Sequence, residues 1–162
     1  MFRSGSTLQY QIASHLIEKR DIGKRITWHN PAQFPEIKKL YGDTDHFVVF
    51  KAHKLTDELR TEVESGNARV ITVHRDIRDV VVSAMKKNRW SFRKIWRDDR
   101  LKYWTSRFDQ WAQQPQALVC RYDQMIDSLP STVAAIAAHL GIEISNNKSH
   151  AVAEHYNLER QR

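Results

Sequence analysis

Short apolar runs that favour β-strands alternate along this chain with segments of helical periodicity, and this alternation restricts the possible folds more than any other feature. The clearest strand is predicted over residues 69–74, and a helix comes directly after it. Further strands are predicted over residues 26–28, 46–53 and 117–121. Strands that alternate with helices usually form a parallel sheet, so the pattern predicts an α/β domain with a mostly parallel sheet. In such sheets ligands bind beyond the C-terminal ends of the strands.

The predicted helices are amphipathic, and two of them have clear N-caps. Thr56 is the expected cap of a helix that ends at Glu64, with Leu59 and Val63 facing inward, and Asp76 is the expected cap after the clearest strand. The other helices are predicted over residues 8–17, 31–40, 91–113, 132–140 and 146–162. The basic, aromatic segment 91–113 has two interpretations, as helices packed on the domain or as the wall of an acceptor site.

Composition limits the class of protein and its partners. The 162 residues fit a single domain, 1–162, with 41% hydrophobic residues for a core and 28% charged residues for the surface. The net charge of +7 predicts an anionic partner, either a nucleotide, a nucleic acid or an acidic substrate. The single cysteine, Cys120, lies in an apolar run and is expected to be a buried thiol in a reducing compartment. Because the sequence has no membrane-length apolar run and no secretory signal pattern, it predicts a cytoplasmic protein.

The segment Arg3-Ser4-Gly5-Ser6-Thr7 has the composition of a phosphate-binding loop. Gly5 permits close approach of an anion to the backbone, Ser6 and Thr7 offer hydroxyl donors, and Arg3 adds a positive charge. A helix that begins here directs its first N–H groups and its positive dipole end at the loop. The alternative is an ordinary helix cap, because the full Walker pattern is absent.

A second motif lies just after the clearest strand. Arg75 stands at the strand end, and Ser83 stands eight residues later on the next helix. This spacing resembles the 3′-phosphate-binding motif of the P-loop sulfotransferases, which use 3′-phosphoadenosine 5′-phosphosulfate (PAPS). The resemblance implies a P-loop NTPase-like three-layer domain with a mostly parallel central sheet. In that family the loop comes after a central strand, and because only Met1 and Phe2 precede it here, we expect the first strand to be missing or truncated.

Other segments match the same family in the same order. Residues 3–7 resemble its 5′-phosphosulfate loop, and residues 51–53 resemble the strand-end segment that supplies a catalytic histidine in the cytosolic enzymes. Residues 121–126 resemble the segment whose tyrosine lies near the adenine, and the helix through Gly141 resembles the family's next helix. There are also departures: Leu8 stands where the cytosolic enzymes usually carry a tryptophan that stacks on the adenine, and their C-terminal Arg-Lys-Gly segment has no counterpart.

The resemblance implies sulfuryl transfer from PAPS to a hydroxyl or amine acceptor, with no metal. His53 would be the general base, and Lys51 would stabilise the transferring group together with Arg3. The PAPS-binding residues would be Arg3, Ser4, Gly5, Ser6, Thr7, Arg75, Ser83 and Tyr122. In the family lysine is often found where Arg3 stands, and arginine keeps the charge but not the same geometry. His74, on the other face of its strand, is expected to be structural.

Two other functions remain open on the sequence. One is a P-loop nucleotide kinase or related phosphotransferase, against which the missing Walker lysine counts. The other is a non-catalytic basic module that binds a polyanion or nucleic acid through residues 86–111, without sequence specificity and with steep salt dependence. The sequence names neither the oligomeric state nor the acceptor, for which a small molecule, a glycan or a peptide would be suitable.

Overall fold

The computed structural model describes residues 4–26 and 30–156, which form an α/β domain. The elements in chain order are α1 (Ser6–Lys19), β1 (Gly23–Arg25), a 3-10 turn (Pro31–Gln33), α2 (Phe34–Tyr41), β2 (Phe47–Val49), α3 (Asp57–Glu64), β3 (Ile71–His74), α4 (Ile77–Asn88), α5 (Phe92–Arg97), α6 (Arg100–Ala112), β4 (Leu118–Arg121), α7 (Tyr122–Asp127), α8 (Leu129–His139) and α9 (Asn146–His155). The described helices include none that is long and apolar enough to cross a membrane.

The strands within the described ranges form two parallel pairs. β1 pairs with β2 in the register Gly23↔Phe47, and β3 pairs with β4 in the register His74↔Arg121. The prediction of parallel strands alternating with helices is therefore confirmed, but the strands are divided between two two-stranded sheets instead of forming one. The β3–β4 register has a direct consequence for function, because it brings the residues after the two strands, Arg75 and Tyr122, side by side.

The core is organised around α1, which buries one apolar face as its periodicity predicts. Leu8, Ile12, Leu16 and Ile17 are each at most 5% exposed. They share a cluster with the inner residues of β3, β4, α7, α8 and α9. Two smaller clusters lie under α4–α6 and under α2–α3. Because α1 belongs to the main cluster, the loop that precedes it is fixed to the most buried part of the domain.

Several local predictions are confirmed. The hydroxyl of Thr56 accepts a hydrogen bond from the Leu59 N–H (3.3 Å), and a carboxylate oxygen of Asp76 accepts one from the Arg78 N–H (2.8 Å), so both residues are N-caps. Cys120 is buried, and burial raises the pKa of its thiol to about 11. His74 is exposed, with its ring centroid 5.3 Å from that of Phe108, and the structural role expected for it remains a prediction.

Two predicted elements extend beyond the residues that the structure describes. Next to the strand expected at residues 26–28, the structure has a strand at Gly23–Arg25, and the Ile26 N–H extends its ladder by donating to the Val49 carbonyl. Positions 27–29 fall outside the described residues. The helix predicted over residues 146–162 is confirmed at Asn146–His155, where it contributes Ala153 to the main core, and positions 157–162 fall outside the described residues. The burial of this helix depends on a few small and apolar side chains, and is therefore hard to predict from a segment of mostly polar composition.

The aromatic segment 91–113 forms α5 and α6, and it is only partly packed. Ile95 and Trp104 are buried, whereas Phe92, Trp96 and Tyr103 each expose more than half of their surface. Tyr103, Trp104 and Trp111 also line a large cavity. The two interpretations of this segment are therefore compatible, because one helix supplies both core contacts and a cavity wall.

Candidate active site

The described part of the predicted phosphate loop, residues 4–7, precedes α1 directly. Gly5 is the N-cap and has φ +91°, a left-handed conformation that glycine adopts readily. Its carbonyl accepts hydrogen bonds from the N–H groups of Leu8 (3.0 Å) and Gln9 (3.3 Å). Because glycine has no side chain to cap the amides of the first turn, this helix end is suited to a bound anion.

Tyr122 joins the loop to the end of β3. A Cβ atom added to Gly5 would lie 2.9 Å from Cδ2 of Tyr122, so the ring lies directly against the loop backbone. The guanidinium carbon of Arg75 lies 3.9 Å from the centroid of the same ring, a cation–π contact. The ring is thus in contact with both predicted phosphate sites. The family resemblance predicts Tyr122 near an adenine, but nothing in the sequence predicts these two contacts.

Lys51 joins the loop to the end of β2. Its Nζ donates a hydrogen bond to Oγ1 of Thr7, at 2.9 Å, and partial burial lowers the pKa of the Lys51 ammonium group. Thr7 itself is exposed. The loop is therefore tied to the C-terminal ends of both parallel pairs, by Lys51 on one side and by Tyr122 on the other. This is the edge at which parallel sheets bind ligands.

His53 lies two residues beyond Lys51 in the wall of the large cavity. Partial burial lowers the pKa of its imidazole, and the positive charge of Lys51 lowers that pKa further. Both effects favour the neutral ring, the form that accepts a proton as a general base. Since the folded-state pKa is below the unfolded value, the unfolded chain binds this proton more tightly, and protonation destabilises the fold as the pH falls below the ordinary histidine range.

Replacing Lys51 with methionine is expected to raise the pKa of His53, because a positive neighbour that disfavours the imidazolium is removed while the side-chain length is kept. Titration of the His53 ring protons by NMR measures the change. Lys54→Met is the control, since it removes the same charge one residue away from His53, and the pKa of His53 is not attributed to Lys54. An unchanged His53 pKa in Lys51→Met would contradict the electrostatic coupling.

The Arg75 site continues into the N-terminus of α4. Arg75 is half-buried and lines a second cavity, of about 520 Å³, between this N-terminus and α6. Arg78 forms an ion pair with Asp76 (2.6 Å), and its hydrogen bonds hold the pKa of the Asp76 carboxyl at about 2. Asp76 therefore stays ionised as the cap of α4. Ser83 is half-buried on α4, and the residues that line the two cavities do not include it.

The large cavity has a volume of about 900 Å³ and extends from the loop to α6. Ser6, Lys51 and His53 stand at the end nearest the loop, and aromatic residues of α2 and α6 contribute to its wall. Arg107 of α6 also lines it, with its guanidinium carbon 4.9 Å from the centroid of the Tyr103 ring. Arg107 was not among the predicted site residues, although its place in the basic aromatic segment was the signal that could have identified it.

The predicted site residues fall into two contact groups. The structure brings Gly5, Tyr122 and Arg75 into one group, and Lys51 and Thr7 into the other. Ser4 is fully buried, so its hydroxyl belongs to the interior of the protein and not to an exposed donor surface. Arg3 lies outside the described residues, and its predicted role remains a prediction.

Comparison with known proteins agrees with this geometry. The profile of the family described as "Sulfotransferase domain" matches residues 1–162. Among solved structures, retinol dehydratase in complex with androsterone and the inactive cofactor PAP is similar in fold, with a TM-score of 0.63 and 18% sequence identity. The match covers 97% of this chain and 62% of that chain, so this chain spans less than two thirds of the length of that protein. Among curated proteins no relative matches.

A parallel α/β domain with a glycine-capped loop at its C-terminal strand ends is a P-loop-like domain. Within that class, the chain belongs to the sulfotransferase domain family.

Proposed function

We propose that this protein is a PAPS-dependent sulfotransferase, which moves the sulfuryl group of PAPS to a hydroxyl or amine acceptor. The observation that carries the proposal is the contact of one ring, Tyr122, with both Gly5 and Arg75. A nucleotide with phosphates at its 5′ and 3′ positions needs two anion sites held in a fixed relation. A shared aromatic contact between the loop and a strand-end arginine meets this requirement.

Each charged group has a role in this proposal. The amides at the start of α1, with Ser6 and Thr7, would bind the 5′-phosphate, and Arg75 with Ser83 would bind the 3′-phosphate. PAPS supplies the activated sulfuryl group. Lys51, hydrogen-bonded to Thr7, would stabilise negative charge near the leaving phosphate, as in related phosphoryl transfers.

His53 would prepare the acceptor. Its neutral imidazole would take the proton of the acceptor hydroxyl as the new oxygen–sulfur bond forms and the bond from sulfur to the bridging phosphate oxygen breaks. The acceptor would lie in the large cavity, which has His53 and Lys51 at one end and aromatic side chains along its wall. Aromatic side chains of this kind suit an acceptor with a ring or hydrocarbon body.

Addition of 3′-phosphoadenosine 5′-phosphate (PAP) is expected to raise the unfolding temperature selectively. A ligand present at 100 times its dissociation constant adds about 2.7 kcal/mol to the free energy of unfolding. Thermal denaturation with PAP, ATP and AMP in parallel, at moderate salt, measures the effect. Equal stabilisation by ATP would support a kinase, and stabilisation only by generic polyanions would support a polyanion-binding module. A folded protein that responds to none of the nucleotides would refute the proposal.

A further inference from the structure

The described wall of the large cavity includes four lysine and arginine side chains, and Arg107 differs from the other three. Each of the other three donates a hydrogen bond to a described residue: Lys38 to Glu62, Lys51 to Thr7 and Arg69 to His139. Arg107 is half-buried, and its guanidinium has neither a hydrogen bond nor an ion pair with another described residue. A partly buried charge of this kind is stabilised when a ligand supplies the opposite charge.

Arg107 stands in the middle of a stripe of α6 that lines the cavity. Tyr103 lies one turn before it and Trp111 lies one turn after it, and all three belong to the cavity wall. The contact that Arg107 makes is with the Tyr103 ring, whose centroid lies 4.9 Å from the guanidinium carbon. A ring contact does not satisfy the five N–H donors of a guanidinium, so these donors can still bind an anion.

The next turn of the same stripe contains a second donor. The indole N–H of Trp111 is buried and has no hydrogen-bond partner in the described part of the chain. A buried donor without a partner is unfavourable, and an acceptor oxygen on a ligand would remove this cost. The unpaired polar groups of the stripe, on Arg107 and Trp111, are therefore both donors. An occupant with acceptor oxygens fits them better than a purely apolar one.

The cavity extends from the loop to α6, and its two ends differ in chemistry. His53 and Lys51 stand at the end nearest the loop, whereas Arg107 belongs to the α6 wall. Aromatic side chains of α2 and α6 contribute to the wall. An acceptor that presents its hydroxyl to His53 and places its body against these aromatic side chains can therefore bring a second polar group to Arg107.

We propose that the acceptor carries a carboxylate, which Arg107 binds while the acceptor hydroxyl lies at His53. This assignment rests on the proposed function, because it names the class of acceptor for the same site. The two oxygens of a carboxylate match the planar guanidinium, and its single charge is balanced by one arginine, whereas a phosphate ester carries about two charges. The net charge of +7 also favours an acidic ligand.

The test uses two matched series of compounds, para-hydroxyphenyl alkanoates and their primary amides. The acid and the amide of each pair share ring, hydroxyl and chain length, and the chain is varied to find the length that reaches Arg107. Isothermal titration in the presence of PAP measures each affinity without turnover. At the best chain length the acid is expected to bind roughly 30-fold more tightly than its amide, because hydrogen bonds to a charged group are the stronger ones.

Arg107→Met is expected to abolish this preference, with acid affinity lower by roughly 30-fold and amide and PAP affinities unchanged. Lys102→Met is the matched control, because it removes a charge from the exposed surface of the same helix and Lys102 is not among the residues that line the cavity. A preference that survives in Arg107→Met, or that is lost equally in Lys102→Met, would overturn the assignment. The comparison of acid and amide in the unmodified protein tests the carboxylate site without any variant.

Titration with PAP alone, and with the acids in its absence, separates this proposal from the proposed function. If PAP binds but acid and amide have equal affinity at every chain length, or no acid binds, the carboxylate site is refuted and the proposed function stands. If the acids bind with a preference that depends on Arg107 but PAP does not bind, the proposed function is refuted and the carboxylate site stands.

Discussion

Replacing Arg75 with alanine is expected to raise the dissociation constant for PAP by about 100-fold, which corresponds to about 2.7 kcal/mol. The guanidinium is the charged group held against the Tyr122 ring, and it borders the smaller cavity at the α4 N-terminus. Hydrogen bonds to a charged group contribute about 1.5–3 kcal/mol each, and a phosphate can accept two from one arginine. The affinity for AMP, which lacks the 3′-phosphate, should change much less. Isothermal titration with both nucleotides measures the difference.

Arg78→Ala is the matched control for this substitution. It removes the same charge three residues away, but the Arg78 side chain is 87% exposed and pairs with Asp76. Because this charge is exposed to solvent and already paired, PAP affinity should fall by no more than a few-fold. Equal losses in Arg75→Ala and Arg78→Ala would mean that PAP responds to overall charge, and the assignment of a 3′-phosphate site to Arg75 would then fail.

Replacing Gly5 with alanine is expected to reduce both stability and nucleotide affinity. At φ +91° an alanine is strained, and its Cβ would lie 2.9 Å from Cδ2 of Tyr122, so the ring must move. Strain of this type costs about 1–3 kcal/mol, which corresponds to several degrees in unfolding temperature for a chain of this size. Because the displaced ring also contacts Arg75, PAP affinity should fall by at least about 10-fold.

Gly66→Ala separates backbone strain from the contact with Tyr122. Gly66 also has a positive φ, +80°, but a Cβ atom there would have no neighbour within 4 Å. This variant should therefore lose about 1 kcal/mol of stability and keep its affinity for PAP. Thermal denaturation and PAP titration of both variants complete the comparison. If Gly5→Ala lost no more affinity than Gly66→Ala, the contact between the loop and Tyr122 would have no role in binding.

The sequence predicted the local elements well, because their signals are short-range. Thr56 and Asp76 are N-caps as predicted, and the buried face of α1 agrees with its periodicity. The clearest apolar run in the chain forms β3, so Arg75 stands at the end of a strand as predicted. The resemblance of the Arg75 motif to the sulfotransferases agrees with the match to the family profile.

The features that the sequence did not predict depend on contacts between distant segments. The separation into two strand pairs results from pairing partners and register, which a pattern of apolar residues does not specify. The contact of Tyr122 with Gly5 and Arg75 joins three segments far apart in the chain. The exposure of Trp96 on α5 was also not predictable, because an aromatic side chain at helical spacing has the same sequence signal whether it is buried or not.

The β3–β4 register also determines where the chain can change length during evolution. Arg75 and Tyr122 meet only because His74 stands opposite Arg121, one residue before each of them. An insertion or deletion of a single residue inside β4 would reverse its faces and move Tyr122 away from Arg75. The turn between α6 and β4, at residues 113–117, lies before the paired strand and can lengthen without shifting that register. Relatives of this chain can therefore vary in length before β4 and keep this pair of side chains together.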